Sequence, residues 1–590
     1  MKKSVIVFAF GLALAGSVVS CSDDAIGPGF GQSSSESALS SGSSLPGLIS
    51  SSASASHSVS SSQPSFSSIS SPVSSSSVCS SPVSSSVQSV SVPTYSSSQP
   101  ASSSSSVQPV SSTPSSSQPA SSSSSSQPVS SASSSSLSVS SSSSSTGPAN
   151  GVVFIFHVND MHGSLDGYPK IAWLVKQYQA TNANVMVVSA GDGFSGNPYV
   201  DQYTPPGYPM IDVMYQSGFR LSAIGNHEFD YGQAELNARM SQTPMRWISA
   251  NITVSGGVLQ QPVATFTTNF PGGMELVFLG LTERNSQGIP STHPDKVVGL
   301  TFSDPVTVAS GYASLPRQNR AVIALTHIGA SVDNSLASSC SWLDVILGGH
   351  SHSVIEGGAG SNGTPLIAQT GTKLSYVGLV RLRFVNGQVT EKSSSLVSVS
   401  GIAGEDSAVR TLVDGYMSNP FMDAQIATLS VTLSGQSALG SFMTDGQRHV
   451  TGAVAAFQNN GGIRVSSIPA GPLSRKQIFE LDPFGNELVT YQMTLAQLQD
   501  FCATRSDMQV SGIKINKTYS PYRLTDYSGT VLGPGPHKVA LSTYLASTTS
   551  FSFESGPVSA GMTTADALVQ YVIETGTLGT PEGLPRIGSW

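Results

Sequence analysis

From residue 151 onward, short β-branched apolar runs alternate with polar clusters, and five of the runs end alike. The run from Val152 to Phe156 opens into His157-Val158-Asn159-Asp160-Met161-His162-Gly163, and the run from Val185 to Val188 opens into Ser189-Ala190-Gly191-Asp192-Gly193. Leu221 to Ile224 is followed by Gly225-Asn226-His227-Glu228-Phe229-Asp230, Ala321 to Leu325 by Thr326-His327, and Asp344 to Leu347 by Gly348-Gly349-His350-Ser351-His352. Runs of this length and composition predict strands. Ligands of α/β sheets gather beyond the carboxyl ends of their strands, so five such ends predict one shared site. Between Gly401 and Asn419 the period changes: Val409, Leu412, Val413 and Met417 fall near helical spacing and predict a connecting helix. A second apolar-rich region follows to Trp590.

Upstream of this pattern there is none. Between Gly31 and Gly147 the chain holds 65 Ser in 117 residues, no Lys or Arg, and Glu36 as its one acidic residue. Such a segment buries too little apolar area to offset the entropy of ordering it, and reads as a flexible tether over residues 22–149. Ahead of it, Met1-Lys2-Lys3 and the apolar run from Val5 to Ala15 end at Val18-Val19-Ser20-Cys21. The run is too short to span a bilayer and reads as a secretory signal. Its end resembles a bacterial lipoprotein cleavage box, which implies lipidation at Cys21, export, and a membrane held through the lipid alone.

The formal charge of −8 excludes a binder of nucleic-acid polymers that works through a large basic surface. Of the four cysteines, Cys79 lies in the tether, and Cys340 and Cys502 are left as either a disulfide or two buried thiols.

The chemistry lies in the strand-end residues. Carboxylate and amide oxygens with imidazole nitrogens suit two divalent cations such as Zn, Mn, Fe or Co, and the lack of thiolates argues against a structural zinc. A two-metal site needs a bridging carboxylate, and Asp192, set between glycines, is the candidate. Two ions about 3.5–4 Å apart activate a bridging water and stabilise in-line displacement at phosphorus.

The set Asp160-x-His162, Gly191-Asp192, Gly225-Asn226-His227-Glu228, His327 and Gly349-His350-Ser351-His352 resembles the calcineurin-like metallophosphoesterase pattern. The resemblance implies one metal on Asp160, His162, Asp192 and His352 and a second on Asp192, Asn226, His327 and His350. In the 5′-nucleotidase branch it also implies a catalytic pair, His227 with Asp230. Their i, i+3 spacing at a helix start puts both on one face, with Asp230 fixing the tautomer of a His227 that serves as cation or proton donor.

Further on, Asn459-Asn460-Gly461-Gly462-Ile463-Arg464 and Asp482-Pro483-Phe484-Gly485-Asn486 resemble motifs of the 5′-nucleotidase C-terminal domain. The resemblance covers nearly everything after residue 150. It implies substrate contacts from Asn459, Gly461, Gly462, Arg464, Phe484 and Asn486, and from Tyr544 as a second aromatic. Arg464 offers a fork of donors to phosphate, and both rings can stack on a base. Two departures stand out: no Arg precedes Leu439-Gly440, and Ser550 stands where the family has an Asp for sugar hydroxyls.

The reading is therefore a layered α/β protein. Residues 150–400 form a metallophosphoesterase domain, a β-sandwich with helices; 401–420 are a connecting helix; 421–590 are an α/β or α+β recognition domain. The expected activity is hydrolysis of nucleotides or other small phosphoesters. Alternatives are a cyclic-nucleotide phosphodiesterase or nucleotide-sugar pyrophosphatase, and a non-catalytic surface protein that keeps the fold.

Overall fold

The computed structural model describes residues 147–315, 318–360 and 364–590. The signal, Cys21 and most of the tether lie outside the described residues. Eleven strands build the first domain: β1 (Gly151–Val158), β2 (Val185–Ser189), β3 (Leu221–Ala223), β4 (Arg246–Ile248), β5 (Thr265–Phe270) and β6 (Met274–Thr282), then β7 (Arg320–His327), β8 (Val345–Leu347), β9 (Leu366–Thr370), β10 (Tyr376–Val385) and β11 (Gln388–Ser398). With very short edge strands they form two sheets, ordered β11-β10-β1-β2-β3-β4 and β9-β8-β7-β6-β5.

The period-2 alternation of these strands explains how the sheets stack. Val153 and Ile155 of β1 face Leu276, Phe278, Ile323 and Leu325 of the second sheet. Phe156 and Val158 point the other way, onto helices α1 (Tyr168–Thr181) and α2 (Tyr208–Gln216). On β7, Val322 and Ala324 turn outward to α3 (Ala330–Ser339). The result is four layers, helix–sheet–sheet–helix, as the continuous apolar runs of doubly covered strands require. β1, β2 and β3 run parallel, as do β7 and β8, so all five predicted strand ends open on one edge of the sandwich.

The predicted connecting helix is α4 (Ser407–Tyr416), capped by Asp406, whose carboxylate accepts from the Val409 N–H at 3.1 Å. It is not a free linker. Val409 and Val413 are buried in the same core as α1 and α2, and Lys176 of α1 pairs with Asp406.

In the second domain, α5 (Gly435–Thr451) precedes a mixed five-stranded sheet. Its strands are β12 (Ala455–Asn459), β13 (Glu487–Met493), β14 (Met508–Ser511), β15 (His537–Ser542) and β16 (Val558–Thr563), ordered β14-β12-β15-β13-β16. One face packs on α6 (Leu495–Thr504) and α7 (Thr543–Thr548) through Phe457, Val489, Phe501 and Leu545. The other packs on α5 and α8 (Thr564–Thr575) through Ala456, Leu488 and Ala567. Cys340 and Cys502 are both buried free thiols, so the open question of a disulfide closes against one.

Candidate metal centre

The strand ends turn sharply into the site. Among the described residues ten non-glycine positions have a left-handed φ, and five are expected ligands: Asp160 (53°), His162 (48°), Asp192 (57°), His350 (77°) and His352 (52°). Each such conformation costs on the order of 1–3 kcal/mol and persists only where the surroundings over-determine it. Two glycines make room. A Cβ at Gly225 would lie 2.2 Å from Asp192 Oδ1, and one at Gly349 would lie 2.7 Å from His327 Nδ1.

The side chains meet in two groups, Asp160 with His162 and His352, and Asp192 with His327 and His350; within each the donor atoms lie within 4.8 Å of one another. The Nε2 atoms of His162 and His352 are 3.0 Å apart. His327 Nε2 is 2.9 Å from Asp192 Oδ2 and 3.8 Å from Asp160 Oδ1. Asn226 Oδ1 lies 3.0 Å from His350 Nδ1, while its amide N–H donates to the Ser291 carbonyl at 3.1 Å, which aims the oxygen inward. All seven expected ligands thus share one cage.

The donor set fits divalent cations. Burial, with the nearby charges of Arg464 and His227, drives His162 well below the usual range; burial also lowers His350 to about 3 and His352 to about 4, which favours neutral rings that each keep one lone pair for a cation. Burial, reinforced by Asp192, raises Asp160 to about 6. Burial opposes charge on Asp192 too, yet His327 and His227 hold its carboxyl well below the usual carboxylate range. Burial likewise disfavours a charged His327, but Asp192 and Asp160 outweigh it and lift the ring to about 10. The proton on His327 is what a cation would replace. The Nδ1 atoms of His327 and His162 face the carbonyls of Ala190 (2.8 Å) and Ser195 (3.2 Å), the outer partners that fix a ligating tautomer with Nε2 free.

His227 stands beside the cage. Its Nδ1 is 2.7 Å from Asp230 Oδ2 and its Nε2 4.0 Å from Asp192 Oδ2. Burial disfavours its charged form, but Asp230 and Asp192 outweigh that and raise its pKa. It also falls within ligand distance of His162 and Asp192, a grouping absent from the sequence reading.

Several contributors have no signal in the sequence pattern. Ser195 Oγ donates to Asp230 Oδ2 at 2.6 Å, and Thr292 Oγ1 to Asp230 Oδ1 at 3.0 Å. Glu228, fully buried, accepts from the N–H groups of Asp192 (2.9 Å), Gly193 (2.6 Å) and Gly225 (2.6 Å), tying two ligand loops together. Asn159 donates to Asp160 Oδ2 at 2.5 Å. Glu228 and Asn159 lie inside quoted motifs, but their roles depend on tertiary neighbours.

The second domain closes the site. Asn459, Gly461, Gly462, Arg464, Phe484, Asn486 and Tyr544 line one pocket together with Asp192, Asn226, His227, Asp230, His350 and His352. Arg464 reaches across, its Nη2 3.4 Å from His162 Nε2. The Phe484 ring lies nearly parallel to His227 (centroids 5.7 Å apart, 19°), and the Arg464 guanidinium is 5.5 Å from the Phe484 centroid. Ser550 is exposed and outside the lining, and no basic side chain from the start of α5 replaces the missing Arg.

A four-layer sandwich with this cage at its strand ends defines a metallophosphoesterase. Residues 155–354 match the calcineurin-like phosphoesterases and 418–527 the C-terminal domain of 5′-nucleotidases. The chain thus joins a calcineurin-like phosphoesterase domain to a 5′-nucleotidase C-terminal domain. It is 26% identical to a 5′-nucleotidase of Vibrio cholerae over 419 residues, 59% of this chain and 74% of that one. It is 25% identical to protein UshA of Escherichia coli over 430 residues, 60% and 76% of the two chains. It is also 25% identical over 400 residues to the trifunctional nucleotide phosphoesterase YfkN of Bacillus subtilis, spanning 59% of this chain but only 27% of that longer protein. A solved 5′-nucleotidase precursor from Thermus thermophilus shares the fold, with a TM-score of 0.63 at 22% identity over 74% of this chain and 99% of that one.

Proposed function

We propose that the chain hydrolyses nucleotides at this pocket, as its relatives' names suggest, with two divalent cations in the cage. Asp160, His162, Asp192 and His352 would hold one, and Asp192, Asn226, His327 and His350 the other. When bound, such ions supply Lewis acidity toward phosphoryl oxygens and lower the pKa of water. The observation that carries the reading is the meeting of the cage, the His227–Asp230 pair and Arg464 in a single pocket.

The chain's own residues do the rest. Arg464 offers its fork of N–H groups to the non-bridging oxygens. Asp230 accepts from His227 Nδ1–H and, with Asp192, favours the charged ring against its burial, so Nε2–H is directed toward the reacting phosphoryl oxygens. The aromatic and glycine-rich wall of the second domain takes the rest of the substrate. Turnover of AMP, UDP-glucose, 2′,3′-cyclic AMP and bis-p-nitrophenyl phosphate tests the reading. A preference for AMP supports it, and a preference for either alternative natural substrate class sinks it.

Ser195 holds Asp230 through its hydroxyl while its carbonyl faces His162. Ser195→Ala removes only the hydroxyl, a hydrogen bond to a carboxylate worth about 1.5–3 kcal/mol. We expect kcat to fall roughly 10-fold or more with bound metal unchanged; an unaltered kcat contradicts the role.

Export and lipid anchoring at Cys21 belong to the same proposal and rest on the sequence alone. No helix among the described residues is long and apolar enough to cross a membrane. A mature chain recovered unlipidated and beginning at Ser22 would contradict the anchor.

A further inference from the structure

A strand end beyond the five predicted reaches the site without bringing a ligand. β6 runs parallel beside β7 with Thr282 in register with His327, so it delivers Glu283 to the same edge of the sandwich. Thr282 is fully buried, and its hydroxyl donates to the Ile224 carbonyl at 2.8 Å, just ahead of the Gly225-Asn226 turn. From Glu283 the chain loops out and back. The Asn285 N–H donates to the Ile289 carbonyl at 2.9 Å, which returns Ser291 and Thr292 to the strand end. The buried Glu283 carboxylate closes the loop, accepting from the Ser291 N–H at 2.6 Å and from the Ser291 hydroxyl at 3.1 Å.

The two residues held this way each make a bond into the site. The Ser291 carbonyl accepts from the Asn226 side-chain amide at 3.1 Å, and Thr292 Oγ1 donates to Asp230 Oδ1 at 3.0 Å. An Asn side chain can turn either its oxygen or its NH₂ inward, and a carbonyl partner can accept only from the NH₂. Ser291 therefore fixes which atom of Asn226 faces the cage. Asp230 in turn holds His227 at 2.7 Å. Ser291 and Thr292 line the pocket, whereas Glu283 stands behind them, outside the lining.

We propose that Glu283 is a positioning residue that straps Ser291-Thr292 against the site and so sets Asn226 and Asp230 together. The proposal rests on the two-cation reading above and adds a device that couples one ion's site to the His227–Asp230 pair. Its charge is the competing cause, since His327 and Asp192 lie near enough to act on its ionisation.

Two substitutions separate reach from charge. Glu283→Asp keeps the charge but is a methylene too short to hold Ser291. Glu283→Gln loses the charge but still offers an oxygen to the Ser291 N–H and an N–H to its hydroxyl. Chelated protein is titrated with Mn²⁺, and kcat on AMP is measured at saturating Mn²⁺. In Glu283→Asp, affinity at one of the two Mn²⁺ sites should fall roughly 10- to 100-fold, the scale for losing an outer partner of a ligand, and kcat should fall with it. Glu283→Gln should stay near wild type in both. Thr292→Val cuts only the Asp230 arm and should lower kcat roughly 10-fold or more with Mn²⁺ binding intact. The strap is overturned by Glu283→Asp that leaves either Mn²⁺ affinity or kcat at the wild-type level, by Glu283→Gln that loses as much as Glu283→Asp, or by Thr292→Val with unaltered kcat. Wild-type protein that binds fewer than two Mn²⁺, or turns over no AMP, refutes the earlier reading instead, a failure visible before any substitution is made.

Discussion

Asp192→Asn should abolish turnover and strip metal from the protein, the largest loss expected from any single substitution here. Asp192 belongs to two of the candidate groupings, with His327 and His350 (Oδ2 2.9 Å from His327 Nε2) and with His162 and His227, and its Oδ1 accepts the His227 backbone N–H at 3.0 Å. Asn has nearly the same shape and tolerates the left-handed backbone that Asp192 adopts (φ 57°). The Asp192 N–H can still donate to Glu228, so the loop should hold. What disappears is the charge that would offset two cations and the second anionic oxygen. The fall in kcat should exceed the roughly 10–100-fold typical of losing a mere outer partner of a ligand. Measured by kcat on AMP and metal content by mass spectrometry, a variant that keeps both ions and full turnover would show that Asp192 does not bridge.

His227→Ala should separate chemistry from metal binding. The ring is placed by Asp230 at 2.7 Å, and Asp230 is placed by Ser195 and Thr292, so the hydrogen-bond chain ends on His227 rather than on the cage. Loss of a positioned acid or base costs about 10²–10⁴-fold in kcat. Metal content should remain that of wild type. The opposite result has a structural route, since His227 lies within ligand distance of His162 and Asp192. Metal lost in parallel with activity would make it a ligand. The truncation also removes the ring against which Phe484 packs, so KM should be read beside kcat.

The strands were legible because they are buried on both faces. Val153 and Ile155 enter one core and Phe156 and Val158 another, so β1 reads as an unbroken apolar run with polar residues at its end. The candidate ligands were legible because His, Asp and Asn at five such ends have few other reasons to recur. The period of Val409 and Val413 announced a helix, but not that it would dock on α1 and α2, since periodicity names a buried face and not its partner. Ser195 and Thr292 are common residue types whose roles arise from the approach of separate loops. Ser550 shows the reverse: a position matched by motif alignment stands exposed and outside the pocket.

Two divalent cations in this cage should be required for phosphoester hydrolysis. The most direct measurement is metal content against activity on AMP in wild-type protein, first after exhaustive chelation and then through stepwise return of Zn, Mn, Fe or Co. Metal-free protein should show no turnover, and activity should recover and saturate at two ions per chain. Full turnover by metal-free protein, or saturation at a single ion, would contradict it.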